Sequence, residues 1–384
     1  MRGILFYFNN YNTFGHATRV FSLVKILKER LGDNARITVV ETGIEQTQAI
    51  PFQKYADFHF IPLPYNKYNN YFDGDLHKKH LASFKKMIDN TKPEVFITDY
   101  YPFSRHFAYL GFLHILEYLK NRYKSKIVCI SPHLNLGRDT YKAIKEYYDS
   151  LLILFPEELS KYYALFFSPQ EARMLGDIYK KFRHKISYTG FLIDIDKKTR
   201  EEQAVKKGLH LGNRKLILVS RGGYNKFEHL ILNSLLLAKK RPEWLFLVSL
   251  GPSIEENRFK KYKSLTDGLK NIRLKKLIYP DFDDYLKASD ISINMAGYNT
   301  MARLLFFKKK SVVFPVRHTE QRFNAEILSY CLPCKVFANG NAGSAQLEKG
   351  ISELLKARQG PNGIIKQEWF NGLTVSSDLI KGIL

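Results

Sequence analysis

Strand-sized apolar runs alternate along this chain with longer stretches in which apolar residues recur every third or fourth position. The short runs, bounded by Gly, Pro or polar residues, predict strands. The longer stretches predict amphipathic helices. In the first half the predicted strands are 4–8, 36–40, 58–63, 95–98, 127–131, 151–155 and 186–189. In the second half they are 216–220, 245–250, 272–277, 291–295, 311–315 and 335–337. Helical patterns such as 16–31 and 299–307 lie between them. Strand and helix in rotation predict a parallel-sheet α/β architecture. The rotation breaks at 194–214, a charged stretch that carries Gly208 and Gly212 and precedes a fresh apolar strand. At 384 residues the chain has room for two domains. The expected organisation is an N-terminal domain at 1–193, a hinge with a short helix at 194–214, a C-terminal domain at 215–360 and a tail at 361–384. The tail regains a helical pattern from Thr374 to Leu384 and is expected to cross back onto the N-terminal domain.

Composition narrows the setting. No apolar run reaches the length needed to cross a bilayer. The first run, 3–8, meets Asn9, Asn10 and Asn12 at once and has no small-residue cleavage site, so a cytoplasmic protein is the expectation. The three cysteines, Cys129, Cys331 and Cys334, cannot form a disulfide framework. Cys331 and Cys334 have redox or zinc spacing, but no second pair completes a four-thiolate site and no helix start follows. The formal net charge of +23 predicts attraction to an anionic surface or substrate, including the inner face of a membrane. Nucleic acid is the weaker alternative, resting on charge and interleaved aromatics such as Lys161-Tyr162-Tyr163.

Four constellations fall at predicted strand ends, the edge where open α/β sheets bind ligands. After 4–8 comes Phe14-Gly15-His16 and a helix. His16 is either a general base or a solvated residue at a helix start. Asp99, ending the strand 95–98, either orients His16 as in a catalytic triad or caps the next helix. Ser220-Arg221-Gly222-Gly223 follows the strand 216–220. It offers backbone N–H groups and a guanidinium to a phosphate, or it is an ordinary strand-to-helix turn. The strongest is Ala296-Gly297-Tyr298-Asn299-Thr300 with the next crossover, Thr319-Glu320-Gln321 through Asn324. One small loop opens a helix suited to a diphosphate. Gln321 and Asn324 lie one turn apart on one helix face, placed to grip sugar hydroxyls. The aspartates at 281–284 read as a solvated helical face rather than a metal site.

The stretches 289–305 and 314–325 resemble the C-terminal signature of glycosyltransferase family 28, which includes the N-acetylglucosaminyl transferase that makes lipid II. Phe14-Gly15-His16, Tyr147-Tyr148-Asp149, Tyr188-Thr189-Gly190-Phe191, Arg221-Gly222-Gly223, Leu250-Gly251-Pro252, Met295 to Thr300 and Glu320-Gln321 occur in family order. They are most similar to the bacterial branch known as predicted glycosyltransferases. The resemblance implies two facing Rossmann-like domains, the GT-B fold. It implies an inverting, metal-independent transfer with no cofactor. A UDP- or dTDP-sugar donor would sit on the C-terminal domain and the acceptor on the N-terminal one.

Carried over residue by residue, Gly297, Tyr298, Asn299 and Thr300 fall in the diphosphate turn. Glu320, Gln321 and Asn324 fall at the donor sugar, and Phe14, Gly15 and His16 in the acceptor-side loop. One departure stands out. The family's acidic ribose ligand is replaced by Arg303, a cation that cannot accept hydroxyl hydrogen bonds. The rival readings are a nucleotide-sugar hydrolase on the same scaffold and a non-catalytic binding protein. The sugar and the acceptor have no signal in the sequence.

Overall fold

A computed structural model of the chain describes residues 2–10, 14–43, 50–62, 65–66, 71–72, 74–104, 111–195, 199–221, 228–251, 254–316, 319–338, 342–358 and 364–384. Its strands are β1 (Arg2–Asn10), β2 (Ala35–Gly43), β3 (Asp57–Pro62), β4 (Tyr65–Asn66), β5 (Tyr71–Phe72), β6 (Val95–Asp99), β7 (Lys126–Ser131), β8 (Ser150–Ile153) and β9 (Ile186–Tyr188). They continue with β10 (Lys215–Ser220), β11 (Trp244–Ser249), β12 (Ile272–Lys275), β13 (Ile291–Asn294), β14 (Ser311–Val313) and β15 (Cys334–Val336).

One sheet has seven strands in the order β3-β2-β1-β6-β7-β8-β9, and a second has six in the order β12-β11-β10-β13-β14-β15. Every pairing in both is parallel. Each predicted strand is present. The short antiparallel pair β4–β5 is an addition that two-residue strands do not announce in a pattern.

Burial explains the uninterrupted apolar runs. Residues 4–10 of β1 are buried throughout, because helices cover both faces of a parallel sheet. The Tyr7 ring packs between Phe84 and Phe112, with centroids 4.7 and 4.8 Å away, while Phe8 stacks on Phe52 on the opposite face. In the second sheet Ile217, Val219, Phe246, Val248 and Ile293 form one core with Leu230, Leu347 and Ile351 from the covering helices.

The chain forms two compact units. One comprises 1–192 with 368–384, and the other 193–367. The tail therefore belongs to the first unit, where its helix Gly372–Ile383 packs on the helix Phe14–Leu31 and Arg30 pairs with Asp378. The docking is close: the Phe191 N–H donates to the Trp369 carbonyl at 2.6 Å. A Cβ on Gly372 would lie 2.4 Å from the Gly190 carbonyl oxygen. The segment 194–214 lies in the second unit. Arg200 and the helix Glu202–Gly208 pack there against the helix Phe282–Ala288. Among the described residues no helix is long and apolar enough to cross a membrane.

Candidate active site

Each sheet has one place where strand order reverses. In the first it lies between β1 and β6, and in the second between β10 and β13. Crossovers leave in opposite directions there, opening a crevice at the carboxyl ends of the strands. All four sequence constellations flank one of these two points.

In the first unit the helix after β1 begins at Phe14, two residues before the expected start, so His16 sits in its first turn. Asp99 is the last residue of β6, the strand beside β1. His16 Nδ1 lies 2.7 Å from Asp99 Oδ2; the imidazole is 29% exposed and the carboxylate fully buried. Asp99 therefore pairs with His16. The sequence reading missed a third member. Arg19, one turn along the helix and buried, donates from Nη2 to Asp99 Oδ1 and Oδ2 at 3.0 and 3.1 Å.

The same Nη2 is 3.0 Å from His16 Nδ1, where it can donate only if that nitrogen carries no proton. Burial pushes the Asp99 carboxyl up, but Arg19 and then His16 outweigh it through charge and hydrogen bonding. The carboxyl is held below its ordinary value. An ionised Asp99 favours the Nδ1–H tautomer, in which His16 donates to Asp99 and the Arg19 approach is not a hydrogen bond. Tyr100, at φ +74°, meets the imidazole edge-on at 5.9 Å and accepts a hydrogen bond from Asn135 Nδ2 at 2.8 Å.

In the second unit Ser220 ends β10, and Arg221 follows it fully buried. Burial pulls the Arg221 guanidinium below its ordinary value, against the opposing effects of Tyr262 and Glu228. Tyr262 Oη donates to Glu228 Oε1 at 2.6 Å. Gly222 and Gly223 lie outside the described residues.

The Gly297 turn is held from two sides. Asn294 Oδ1 accepts from Ala296 N at 2.8 Å, and Ala296 takes a left-handed φ of +54°. Asn324 Nδ2 donates to the Ala296 carbonyl at 2.9 Å. Gly297 then caps the helix Tyr298–Phe306, whose first turn carries no acid. Its leading N–H groups and dipole favour an anion. A Cβ on Gly297 meets nothing within 4 Å, so the approach to the turn is open.

The residues expected at the donor sugar divide. Gln321 is partly exposed, and its Oε1 accepts from Val316 N at 3.1 Å; Glu320 is also partly exposed. Asn324 is fully buried and grips the turn, so it is placed to support the turn rather than to reach a sugar.

The acidic stretch at 281–284 is not the solvated face expected. Asp284 is buried and accepts from Arg200 Nε at 2.6 Å, while Asp283, largely buried, accepts from Arg303 Nε at 2.6 Å. Arginines from other elements draw these carboxylates inward. Burial nevertheless pushes the Asp283 carboxyl above its ordinary value, against the pull of Arg303. Arg303 thus presents an ion pair rather than a bare cation. Among the described residues no group of His, Cys, Asp and Glu could hold a metal ion. Burial pushes the Cys331 and Cys334 thiols up to about 11.

Residues 216–369 match the model of the glycosyltransferase family 28 C-terminal domain. Solved structures align along nearly the whole chain. The glycotransferase of kitacinnamycin is 14% identical with a TM-score of 0.66, covering 100% of each chain. MurG of Acinetobacter baumannii is 13% identical with a TM-score of 0.55, covering 98% of this chain and 94% of its own. TcCGT1 in complex with UDP is 11% identical with a TM-score of 0.62, covering 100% and 96%. At these identities the likeness shows the fold, which is GT-B. No curated protein sequence matches the chain.

Proposed function

We infer, from a family 28 glycosyltransferase C-terminal domain carried on a GT-B fold, that this chain moves a hexose-type sugar from a nucleoside diphosphate to an acceptor hydroxyl, with inversion and without a metal ion. The observation that carries the chemistry is the buried Asp99 carboxylate holding His16 Nδ1 at 2.7 Å beside the switch point of the first sheet. As the acceptor oxygen attacks the anomeric carbon, its proton passes to His16 Nε2. The bond to the diphosphate breaks, and its electron pair leaves with the nucleotide. Asp99 stabilises the imidazolium, and Arg19 keeps Asp99 ionised between turnovers. Phe14 and Gly15, in the first turn of the same helix, lie on the acceptor side.

Negative charge on the departing diphosphate is met by the N–H groups at Tyr298, Asn299 and Thr300 and by Ser220 and Arg221 where β10 ends. Glu320 and Gln321 hold the donor sugar. The Asp283 carboxylate, paired with Arg303, supplies the ribose-hydroxyl acceptor that position 303 itself lacks. The UDP complex of TcCGT1 supports a UDP-type donor, and dTDP is the other candidate.

Calorimetry across UDP, dTDP and GDP, followed by turnover of the corresponding sugars with and without hydroxyl acceptors, tests the reading. Binding of one nucleotide and acceptor-dependent turnover are expected. Release of free sugar at full rate without acceptor would make the chain a hydrolase. Failure to bind any of the three would remove the donor assignment.

A further inference from the structure

We propose that Tyr100 is a positioning residue for His16, held in a strained backbone conformation just past β6 so that its ring sets the tilt of the imidazole. Tyr100 follows Asp99 directly and takes a φ of +74°. A bulky side chain in the left-handed region is strained, and glycine at the same position would not be. Such strain persists only where the surroundings enforce it and something is gained from it.

The enforcement comes from the backbone. The Tyr100 N–H donates to the Ile130 carbonyl of β7 at 2.9 Å, and the Tyr100 carbonyl accepts from Phe103 N at 2.8 Å. The next carbonyl, that of Tyr101, accepts from Thr98 Oγ1 at 2.7 Å and from Tyr148 Oη at 2.9 Å. That of Pro102 accepts from Thr140 Oγ1 at 2.9 Å. A glycine at position 100 would make the same backbone bonds, so they hold the conformation without accounting for a tyrosine.

The side chain supplies the account. The Tyr100 and His16 rings meet edge-on, with centroids 5.9 Å apart and planes at 70°, a favoured arrangement of two aromatic rings. At its far end the Tyr100 hydroxyl accepts from Asn135 Nδ2 at 2.8 Å. Asn135 Oδ1 in turn accepts from Leu136 N at 2.8 Å. The ring is thus fixed at one end by the backbone after β6 and at the other by the segment after β7. Asp99 and Arg19 both approach the imidazole at Nδ1. They locate that atom but leave the ring free to tilt about it, and a tilt swings Nε2, where the acceptor proton must arrive. Tyr100 bears on the ring itself and limits that tilt. Because Tyr100 acts through His16, its part in transfer rests on the assignment of His16 as the base.

Three variants test the proposal. Tyr100→Gly removes ring and strain together, Tyr100→Phe keeps the ring without its hydroxyl, and Asn135→Ala releases the hydroxyl. In acceptor-dependent turnover of the UDP-sugar, Tyr100→Gly should lower kcat by about tenfold or more with UDP affinity unchanged. It should unfold at no lower urea concentration than the parent, because relief of the backbone offsets the lost ring contact. Tyr100→Phe should keep most of kcat, and Asn135→Ala should fall between the two. With 13C-labelled histidine and no substrate, relaxation at His16 Cε1 should report a ring more mobile in Tyr100→Gly than in the parent or in Tyr100→Phe. Parental kcat in Tyr100→Gly, equal losses in Tyr100→Gly and Tyr100→Phe, or a His16 ring equally rigid in all the proteins would each overturn the proposal. Lower stability with unchanged kcat would do so too, as the signature of a tyrosine that only packs. Failure of the base assignment is distinguishable: His16→Ala would then keep full turnover, while the labelled ring would still report whether Tyr100 restrains it.

Discussion

Replacing His16 interrogates the first site at a single nitrogen. His16→Ala should lower turnover by roughly a hundredfold to ten-thousandfold while leaving nucleotide affinity unchanged, since the residues proposed to bind the donor belong to the second unit. Asp99→Asn should cost less, and the double variant little more than His16→Ala, because groups acting as a unit are non-additive. Steady-state kinetics decide it; full turnover in His16→Ala removes the base assignment. His80 is a separate test of acid stability. It is buried, and burial lowers its pKa to about 4, against the Pro62 carbonyl and with help from His77. Unfolded, it binds a proton near pH 6.5. The unfolded chain therefore holds more protons between those values, and stability should fall as pH drops from about 6.5 towards 4, by on the order of 3 kcal/mol. Urea unfolding across that range should lose this slope in His80→Leu. At this scale the sequence was partly legible. His16 and Asp99 stand at strand ends, where pattern alone marks a ligand edge. Arg19 went unread, although His16-x-x-Arg19 is the spacing of one helix face, because an arginine there usually reaches water. Nor could pattern show that Arg303 meets Asp283, a partner from another helix.

Strand existence was the most legible property, since strands covered on both faces must be apolar throughout. Ends were less so. β1 runs to Asn10 because its terminal asparagines remain buried, Asn10 donating to Glu41 Oε1 at 2.8 Å across the sheet. Polar residues there look like the start of a loop. The turn at Gly297 shows what one element contributes. Asn294 and Asn324 fix its backbone from two sides, so it exists before any ligand arrives. Gly297→Val should fold, because open space receives the new side chain. It should also bind UDP at least about tenfold more weakly by filling the phosphate approach. An unchanged Kd in a folded Gly297→Val protein would move the diphosphate elsewhere.

The two units differ in how the chain builds them. The second is continuous, whereas the first recruits the segment 368–384. Apolar periodicity announced a helical tail expected on the N-terminal domain, but the closeness of its seat depends on backbone contacts between Gly190 and Gly372 that no periodicity encodes. Gly372→Ala should therefore lift the tail and destabilise the first unit by about 1–3 kcal/mol. Hydrogen exchange should rise along the helix Phe14–Leu31 while UDP binding, proposed for the second unit, persists; unchanged exchange there would mean the tail is not needed to hold that helix. The same return also sets an order of events on the ribosome. Residues 193–367 must all be polymerised before 368–384 exist, which at roughly 5–20 residues per second leaves the first sheet without its closing helix for about nine to thirty-five seconds. The half of the molecule that is made first is thus the last to be completed. During that interval the apolar flank of the helix Phe14–Leu31 is a surface for a chaperone to guard.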